Sequence, residues 1–324
     1  MPLRLPDWRP RAPLHALMFD WLARAGVELA LLRLDRLDPL ISGNKWFKLE
    51  PHLARAARLG AEGLISLGGA HSNHLHALAA AGHRFGFATA GLLRGHPQDT
   101  PTVRDLQAFG MQLHWLGYGG YRARHQPGFW APWRALRPEL LPVPEGGGGL
   151  EGARGCAQLV EQVRAGLPGL GWTDYDALWL AVGSGTTLAG LVLGEAGRHP
   201  VHGALAVPAD HGVEAQVGRL LREAGREDAG YRLTDASRCG FARLDPELAA
   251  FLFACEAEAS IELEPLYTAK ALLALRQAVE SGHIARGTRL VMLHTGGLQG
   301  RRACLPRLRE LAGYTQGDGV REAP

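Results

Sequence analysis

The chain has 324 residues, enough for one large or two moderate domains with proper cores. Its 46% hydrophobic and 21% charged content is ordinary for a globular protein, and a net charge of +3 gives no reason to expect nucleic acid or an acidic membrane surface as partner. No segment approaches the roughly 18 consecutive apolar residues of a membrane span, and the N-terminal MPLRLPDWRPRAPLHAL lacks the apolar run of a signal peptide. Cys156, Cys239, Cys255 and Cys304 fit neither a zinc nor a disulfide spacing, so a reduced, cytoplasmic protein is expected.

Short apolar runs alternate with helical patterns along the chain. Strands are expected at residues 27–32, 63–68, 87–93, 111–116, 177–182, 203–207 and 289–294. Helices are expected at 72–85, 102–109, 152–166, 188–197, 212–224, 246–257 and 268–281. Strand and helix in turn predict an α/β architecture with open parallel sheets covered on both faces. The stretch from Gln126 to Gly149, ending PVPEGGGG, reads as an exposed connection between two units of about 100 and about 170 residues. The tail after Gly313 is polar and expected to fray.

Of 35 basic residues only Lys45, Lys48 and Lys270 are lysines. An arginine is always charged, whereas a lysine can lose its proton and form an imine. Two lysines within four residues, in ISGNKWFKLE, therefore suggest a place where the amine itself matters; Lys270 alone is compatible with chance.

Three loops at strand ends carry the remaining signal. Gly68-Gly69-Ala70-His71-Ser72-Asn73-His74 opens an alanine-rich helix, where Ser72 or Asn73 suits an N-cap or, alternatively, a site for a carboxylate. His71, His74 and His76 lack the spacing of a zinc site. Gly183-Ser184-Gly185-Thr186-Thr187 lies between an apolar run and a helix, offering backbone N–H groups and hydroxyls to a single phosphate, although a ligand-free tight turn would look the same. It lacks the lysine of a P-loop and the third glycine of a dinucleotide fingerprint, which counts against a nucleotide-dependent dehydrogenase. Leu293-His294-Thr295-Gly296-Gly297 ends the last strand, a common position for ligand contacts in an α/β sheet.

Taken together, ISGNKWFKLE, LGGAHSNHLHALAAAG, VGSGTTLAGL, EPLYTAKAL and LHTGG stand in the order and approximate spacing of the D-cysteine desulfhydrases and 1-aminocyclopropane-1-carboxylate (ACC) deaminases. The chain thus resembles the tryptophan-synthase-β-like, fold-type II enzymes that use pyridoxal 5'-phosphate (PLP), from about Asp35 to Gly297. The resemblance implies a large PLP-binding domain from residues 1–49 and 151–324, a small α/β domain from 50–150, and a homodimer. It implies that Lys45 carries PLP as a Schiff base and moves the substrate proton, with Lys48 near the phosphate. Ser72 resembles the residue meeting the substrate carboxylate, Asn73 the amide beside the cofactor's O3′, and Tyr267 the tyrosine beside its ring. Gly183, Ser184, Gly185, Thr186 and Thr187 resemble the phosphate cup, and Thr295 the partner of the pyridine nitrogen.

The activity so implied is β-elimination from a small D-amino acid, with pyruvate, ammonia and sulfide formed from D-cysteine. ACC deaminase is the alternative. ACC deaminases carry glutamate where this chain has Thr268, next to the pyridine nitrogen, and a threonine cannot hold a ring proton by charge. Cys239 stands where relatives have a second active-site tyrosine, and Trp46 and Phe47 replace threonine and arginine after the lysine, which suggests an altered substrate pocket. A non-catalytic PLP-binding protein is disfavoured by the presence of Ser72 and Tyr267.

Overall fold

The computed structural model describes residues 1–226, 230–238 and 240–314. Among these residues ten strands form two sheets. The strands are β1 (Leu14–Leu17), β2 (Glu28–Arg33), β3 (Gly63–Gly68), β4 (Ala88–Leu93), β5 (Gln112–Trp115), β6 (Leu140–Pro142), β7 (Ala177–Val182), β8 (Val201–Leu205), β9 (Tyr231–Asp235) and β10 (Arg289–His294). The six-stranded sheet runs β1-β2-β10-β7-β8-β9, and the four-stranded sheet β5-β4-β3-β6. Every pairing is parallel except that of β1 with β2. The larger sheet thus joins strands from both ends of the chain around a smaller sheet built from its middle.

Burial along the central strands explains this layering. In β7, Leu178, Leu180 and Val182 point into one core while Ala177, Trp179 and Ala181 point into another. β10 divides in the same way, with Val291 and Leu293 on one side and Leu290 and Met292 on the other. Alternate side chains face opposite sides of a strand, so a run that is apolar at every position needs cover on both faces. Helices supply it. No helix among the described residues is long and apolar enough to cross a membrane.

Several elements depart from the sequence-based expectation. The stretch from Gln126 to Gly149 is more than an exposed connection: Leu140–Pro142 pairs with β3, and Gly147 and Gly148 are buried. β1 and β9 were also not foreseen, being short and without an apolar alternation of their own; β9 is largely exposed. The helices Lys45–Arg58 and Leu298–Leu311 carry Pro51 and Pro306 in their interiors, which masks them in the sequence. Pro51 leaves the Phe47 carbonyl without its helical donor. That carbonyl meets Gly155 of the helix Gly149–Gly166, where an added Cβ would stand 1.9 Å from the oxygen.

Parallel pairing brings the carboxyl ends of the strands to one edge of each sheet. Leu293 of β10 lies opposite Leu180 of β7, so the loops starting at Thr295 and Gly183 leave the sheet side by side. The loop after β3 leads into the helix Asn73–Phe85, which faces them. The Gln299 amide spans the junction, donating to Asn73 Oδ1 at 2.6 Å, and Arg302 pairs with Asp105.

Candidate active site

Lys45 opens the helix Lys45–Arg58, and the turn before it is fixed by a close backbone crossing. The Asn44 N–H donates to the Thr295 carbonyl at 3.2 Å, and the Gly43 N–H to the Leu34 carbonyl at 2.8 Å. Gly43 has φ +82, and a Cβ there would lie 2.2 Å from the Thr295 oxygen, so only glycine fits. Behind the crossing, the Gly296 N–H donates to His294 Nδ1, which leaves Nε2–H to donate to the Glu262 carbonyl at 2.8 Å. The Asn44 amide donates to Thr187 Oγ1 at 2.9 Å, tying the lysine turn to the hydroxyl-rich loop.

The half-buried Lys45 and the buried Lys48 lie in a cluster of bases. Lys45, Lys48 and His52 recur at helical spacing and face the same side. The two amines act on each other, Lys48 lowering the proton affinity of Lys45 and Lys45 raising that of Lys48. Burial, with the Lys48 charge second, holds the Lys45 ammonium well below the usual lysine range. Burial also lowers Lys48, which is only 3% exposed. The Cys156 thiol, against Thr187 Oγ1 at 3.9 Å, is pushed up by burial. His74 and His52 are buried beside them, and His74 Nδ1 and His52 Nε2 have no hydrogen-bond partner.

The loop Gly183 to Thr187 closes this pocket. Gly185 precedes the helix Thr186–Glu195 with φ +76, no side chain caps the helix, and its first turn holds no acid. Unsatisfied N–H groups at the start of a ten-residue helix, close to two lysines, favour an anion. Ser184 Oγ and Thr186 Oγ1 lie 3.2 Å apart at its mouth. The start of the helix Gly149–Gly166 is adjacent: a Cβ on Gly148 would be 3.7 Å from Thr186 Oγ1. The residues present therefore suit a phosphate joined to a group that reacts with an amine. The uncapped helix supports that fit.

Across the pocket, Tyr267 stands at the start of the helix Thr268–Glu280. Its ring packs on Gly183, where a Cβ would approach Cε1 to 2.9 Å. Burial, reinforced by the Glu264 charge, raises its phenol above the ordinary range. Glu264 itself accepts the Leu266 N–H at 2.9 Å and the Tyr267 N–H at 2.7 Å, and burial pushes its carboxyl up to about 7. Ser72 Oγ accepts the Leu75 N–H at 3.2 Å and so caps its helix. Asn73 adjoins Gly297, where a Cβ would meet its Nδ2 at 2.8 Å.

The structure brings Lys45 and Lys48 beside the loop Gly183, Ser184, Gly185, Thr186 and Thr187 through the Asn44–Thr187 and Cys156–Thr187 contacts, with Tyr267 on Gly183. Asn73 adjoins Gly297, in the turn that follows Thr295, and Ser72 precedes Asn73. Trp46 and Phe47 are not pocket residues. Each is 1% exposed and turned away from the Lys45 face, and Trp46 packs edge-on against Trp8 at 4.6 Å. Thr268 is fully buried and does not face the pocket: its hydroxyl donates to the Glu264 carbonyl at 2.9 Å and accepts the Glu264 N–H at 2.8 Å. Cys239 lies outside the described residues. Lys270 is buried with work of its own, its Nζ donating to the Ser237 and Gly240 carbonyls at 3.0 Å. Sequence reasoning missed Glu264, His52 and Gly147. Only the rarity of lysine pointed to Lys270, and Glu264 carried no signal beyond standing three residues before Tyr267.

Parallel sheets, a low-affinity lysine ammonium and an anion-ready helix end at their carboxyl edge define an enzyme that works through an amine-bound phosphate cofactor. Residues 11–296 match the family model described as pyridoxal-phosphate dependent enzyme, and the chain belongs to that family. It is 25% identical over 293 residues to the putative 1-aminocyclopropane-1-carboxylate deaminase of Pyrococcus furiosus, covering 85% of this chain and 86% of that one. It is 27% identical over 302 residues to the bifunctional D-cysteine desulfhydrase/1-aminocyclopropane-1-carboxylate deaminase, mitochondrial, of Arabidopsis thaliana, covering 85% and 73%. The fold matches the crystal structure of an ACC deaminase homologue with a TM-score of 0.77 at 22% identity, over 96% of both chains. The protein is a fold-type II PLP enzyme.

Proposed function

We propose that the protein eliminates the β-substituent of a small D-amino acid, as in the conversion of D-cysteine to pyruvate, ammonia and sulfide, with Lys45 as the cofactor-bearing and proton-moving amine. The observation that carries this reading is the lysine pair on one face of a helix, tied through Asn44 to Thr187, with Lys45 held well below its ordinary affinity for protons. Only a free amine bonds a carbonyl carbon or removes a Cα proton. The cofactor, when bound, supplies the electron sink that makes this Cα proton acidic.

The remaining roles are those of the chain's own groups. The N–H groups of Gly185 to Thr187, the hydroxyls of Ser184, Thr186 and Thr187, and the Lys48 ammonium hold the phosphate. Asn73 and Thr295 fix the ring from opposite sides of the Gly296-Gly297 turn. Ser72, at a helix start, orients the substrate carboxylate, and the raised Tyr267 phenol stays protonated as a donor beside the leaving group. Lys45 takes the Cα proton, and the thiolate leaves with the electron pair of the broken Cβ–S bond. Both oxygens of Glu264 are engaged by backbone N–H groups, and Thr268 is bonded to the Glu264 backbone. Neither is free to hold a charged ring nitrogen, which favours elimination over opening of the ACC ring.

We further infer a homodimer located in the cytoplasm, and two domains that close on the substrate: residues 1–49 and 151–324 binding the cofactor, and residues 50–150 forming the small domain. The division of strands between the two sheets supports that boundary.

Borohydride reduction followed by peptide mapping tests the central claim, and the label is expected on Lys45. A label on Lys48 or Lys270, or none, overturns it. A screen of D- and L-amino acids is expected to give pyruvate from D-cysteine or β-chloro-D-alanine and little 2-oxobutyrate from ACC. Robust turnover of ACC would refute the choice of reaction.

A further inference from the structure

His74 follows Asn73 in the helix Asn73–Phe85, yet no part of the mechanism above uses it. Its ring is 2% exposed. Nε2 lies 2.7 Å from Ser66 Oγ, and the Ser66 hydroxyl donates to the Val143 carbonyl at 3.0 Å. A hydroxyl has one proton, so Ser66 must accept from His74, and Nε2 carries the hydrogen. Burial, then the charges of Lys45, Lys48 and His52, keep the ring well below the usual histidine range and therefore neutral. A neutral ring with hydrogen on Nε2 has a bare lone pair on Nδ1. That atom is buried and has no partner.

The bare nitrogen faces the lysine pocket. A Cβ built on Gly147 would lie 3.0 Å from Lys48 Cβ, 3.3 Å from His74 Cε1 and 3.4 Å from His74 Nδ1. Gly147 (φ +69) is thus wedged between the Lys48 stem and the acceptor edge of His74, and the absence of a side chain leaves the gap open. The other titratable groups offer Lys48 little. Lys45 and His52 come from its own helix, and Cys156 from the helix Gly149–Gly166 is held as a thiol. Of the two carboxylates of that helix, Glu151 is engaged by His52 at 3.2 Å and Arg55 at 3.2 Å, and Glu161 by Arg164 at 2.9 Å.

We propose that His74 is a positioning residue whose bare Nδ1 is the acceptor available to the Lys48 ammonium across the Gly147 gap when Lys48 turns towards it, so that Lys48 keeps the charge of the lysine pair and Lys45 remains the free amine. An ammonium has three N–H donors. One can go to Lys45 Nζ and one to His74, and the third stays available to an anion at the Thr186–Glu195 helix start. Lys45 already lies below Lys48 in proton affinity, and the histidine acceptor widens that difference. The tautomer lock by Ser66 matters because a histidine with hydrogen on Nδ1 would repel the ammonium. The proposal rests on Lys45 being the reacting amine.

The scarcity of lysine makes a direct test possible. Lysine-labelled full-length protein, freed of cofactor, gives side-chain NMR signals from only three lysines, which Lys48→Arg and Lys270→Arg assign. In His74→Leu the Lys48 titration is expected to fall and that of Lys45 to rise, each by about one pH unit, the size of a hydrogen bond to a charged group. In the loaded enzyme the pH dependence of the visible band should shift as well. If His74→Leu does not fold, the pair His74→Asn and His74→Gln decides. Asparagine places its oxygen where Nδ1 was and should behave like the wild type, whereas glutamine should behave like leucine. A purely structural role would lower the melting temperature and leave the lysine titrations in place, and that result overturns the proposal, as does equal behaviour of the Asn and Gln variants. Unmoved titrations with a borohydride label on Lys45 refute His74 alone. A label elsewhere refutes the assignment of Lys45.

Discussion

Glu264 should make the stability of this protein fall as the pH rises through neutrality, and Glu264→Gln should remove that dependence. Its carboxyl is buried, and burial raises its pKa from 4.5 to about 7 despite bonds from the Leu266 and Tyr267 N–H groups. A group whose pKa is raised by folding holds its proton more tightly in the folded chain than in the unfolded one. The stability it contributes is complete below the unfolded value and is lost as the pH rises through the folded value. The gap corresponds to about 3 kcal/mol, lost between about pH 4.5 and just above pH 7. Glutamine keeps one oxygen for one of the two N–H groups and sets an amide against the other. This costs about 1–3 kcal/mol at every pH and has no slope. Wild type should therefore be the more stable protein in mild acid, with the difference shrinking by about 3 kcal/mol towards pH 8. Urea unfolding of both proteins across this range gives the difference directly, because all other titrating groups are shared. A difference that stays constant from mild acid to pH 8 would refute the reasoning.

Further outcomes follow from the same geometry. Gly185→Val forces a branched residue into a left-handed conformation costing about 1–2 kcal/mol and sets its Cβ 2.5 Å from Val217 Cγ2. PLP should then be lost on dialysis while circular dichroism stays native, and full retention would show that the phosphate is held elsewhere. Ser72→Ala removes a helix cap and should lower stability by about 1 kcal/mol. If Ser72 also orients the substrate carboxylate, KM for D-cysteine rises at temperatures where both proteins are fully folded, and an unchanged KM would leave it only the cap. Thr268→Glu puts a second carboxylate beside Glu264 at a fully buried position. A loss of about 3 kcal/mol or more is expected in thermal unfolding, and wild-type stability would mean that the buried site has room for charge.

Much of the fold could be read from the sequence because its central strands are local features. ALWLAV and LVMLH are apolar at nearly every position, and each is followed at once by a glycine-bearing turn. Such runs fit only a sheet covered on both faces, and their carboxyl ends are where the site lies. The lysine pair was legible from chemistry alone, since lysine is otherwise almost absent. The tertiary structure decided what depends on neighbours distant in the chain. Trp46 and Phe47, next to Lys45 in sequence, belong to the core because a helix turns successive residues in different directions. Thr268 faces Glu264 and not the pocket because its hydroxyl closes the turn that begins the helix. The proton affinities of Lys45, His74 and Glu264 are set by loss of water and by the charges that packing places beside them. The sequence determines which groups can titrate; only the packing of the two sheets determines which of them are dry, and so which holds the proton.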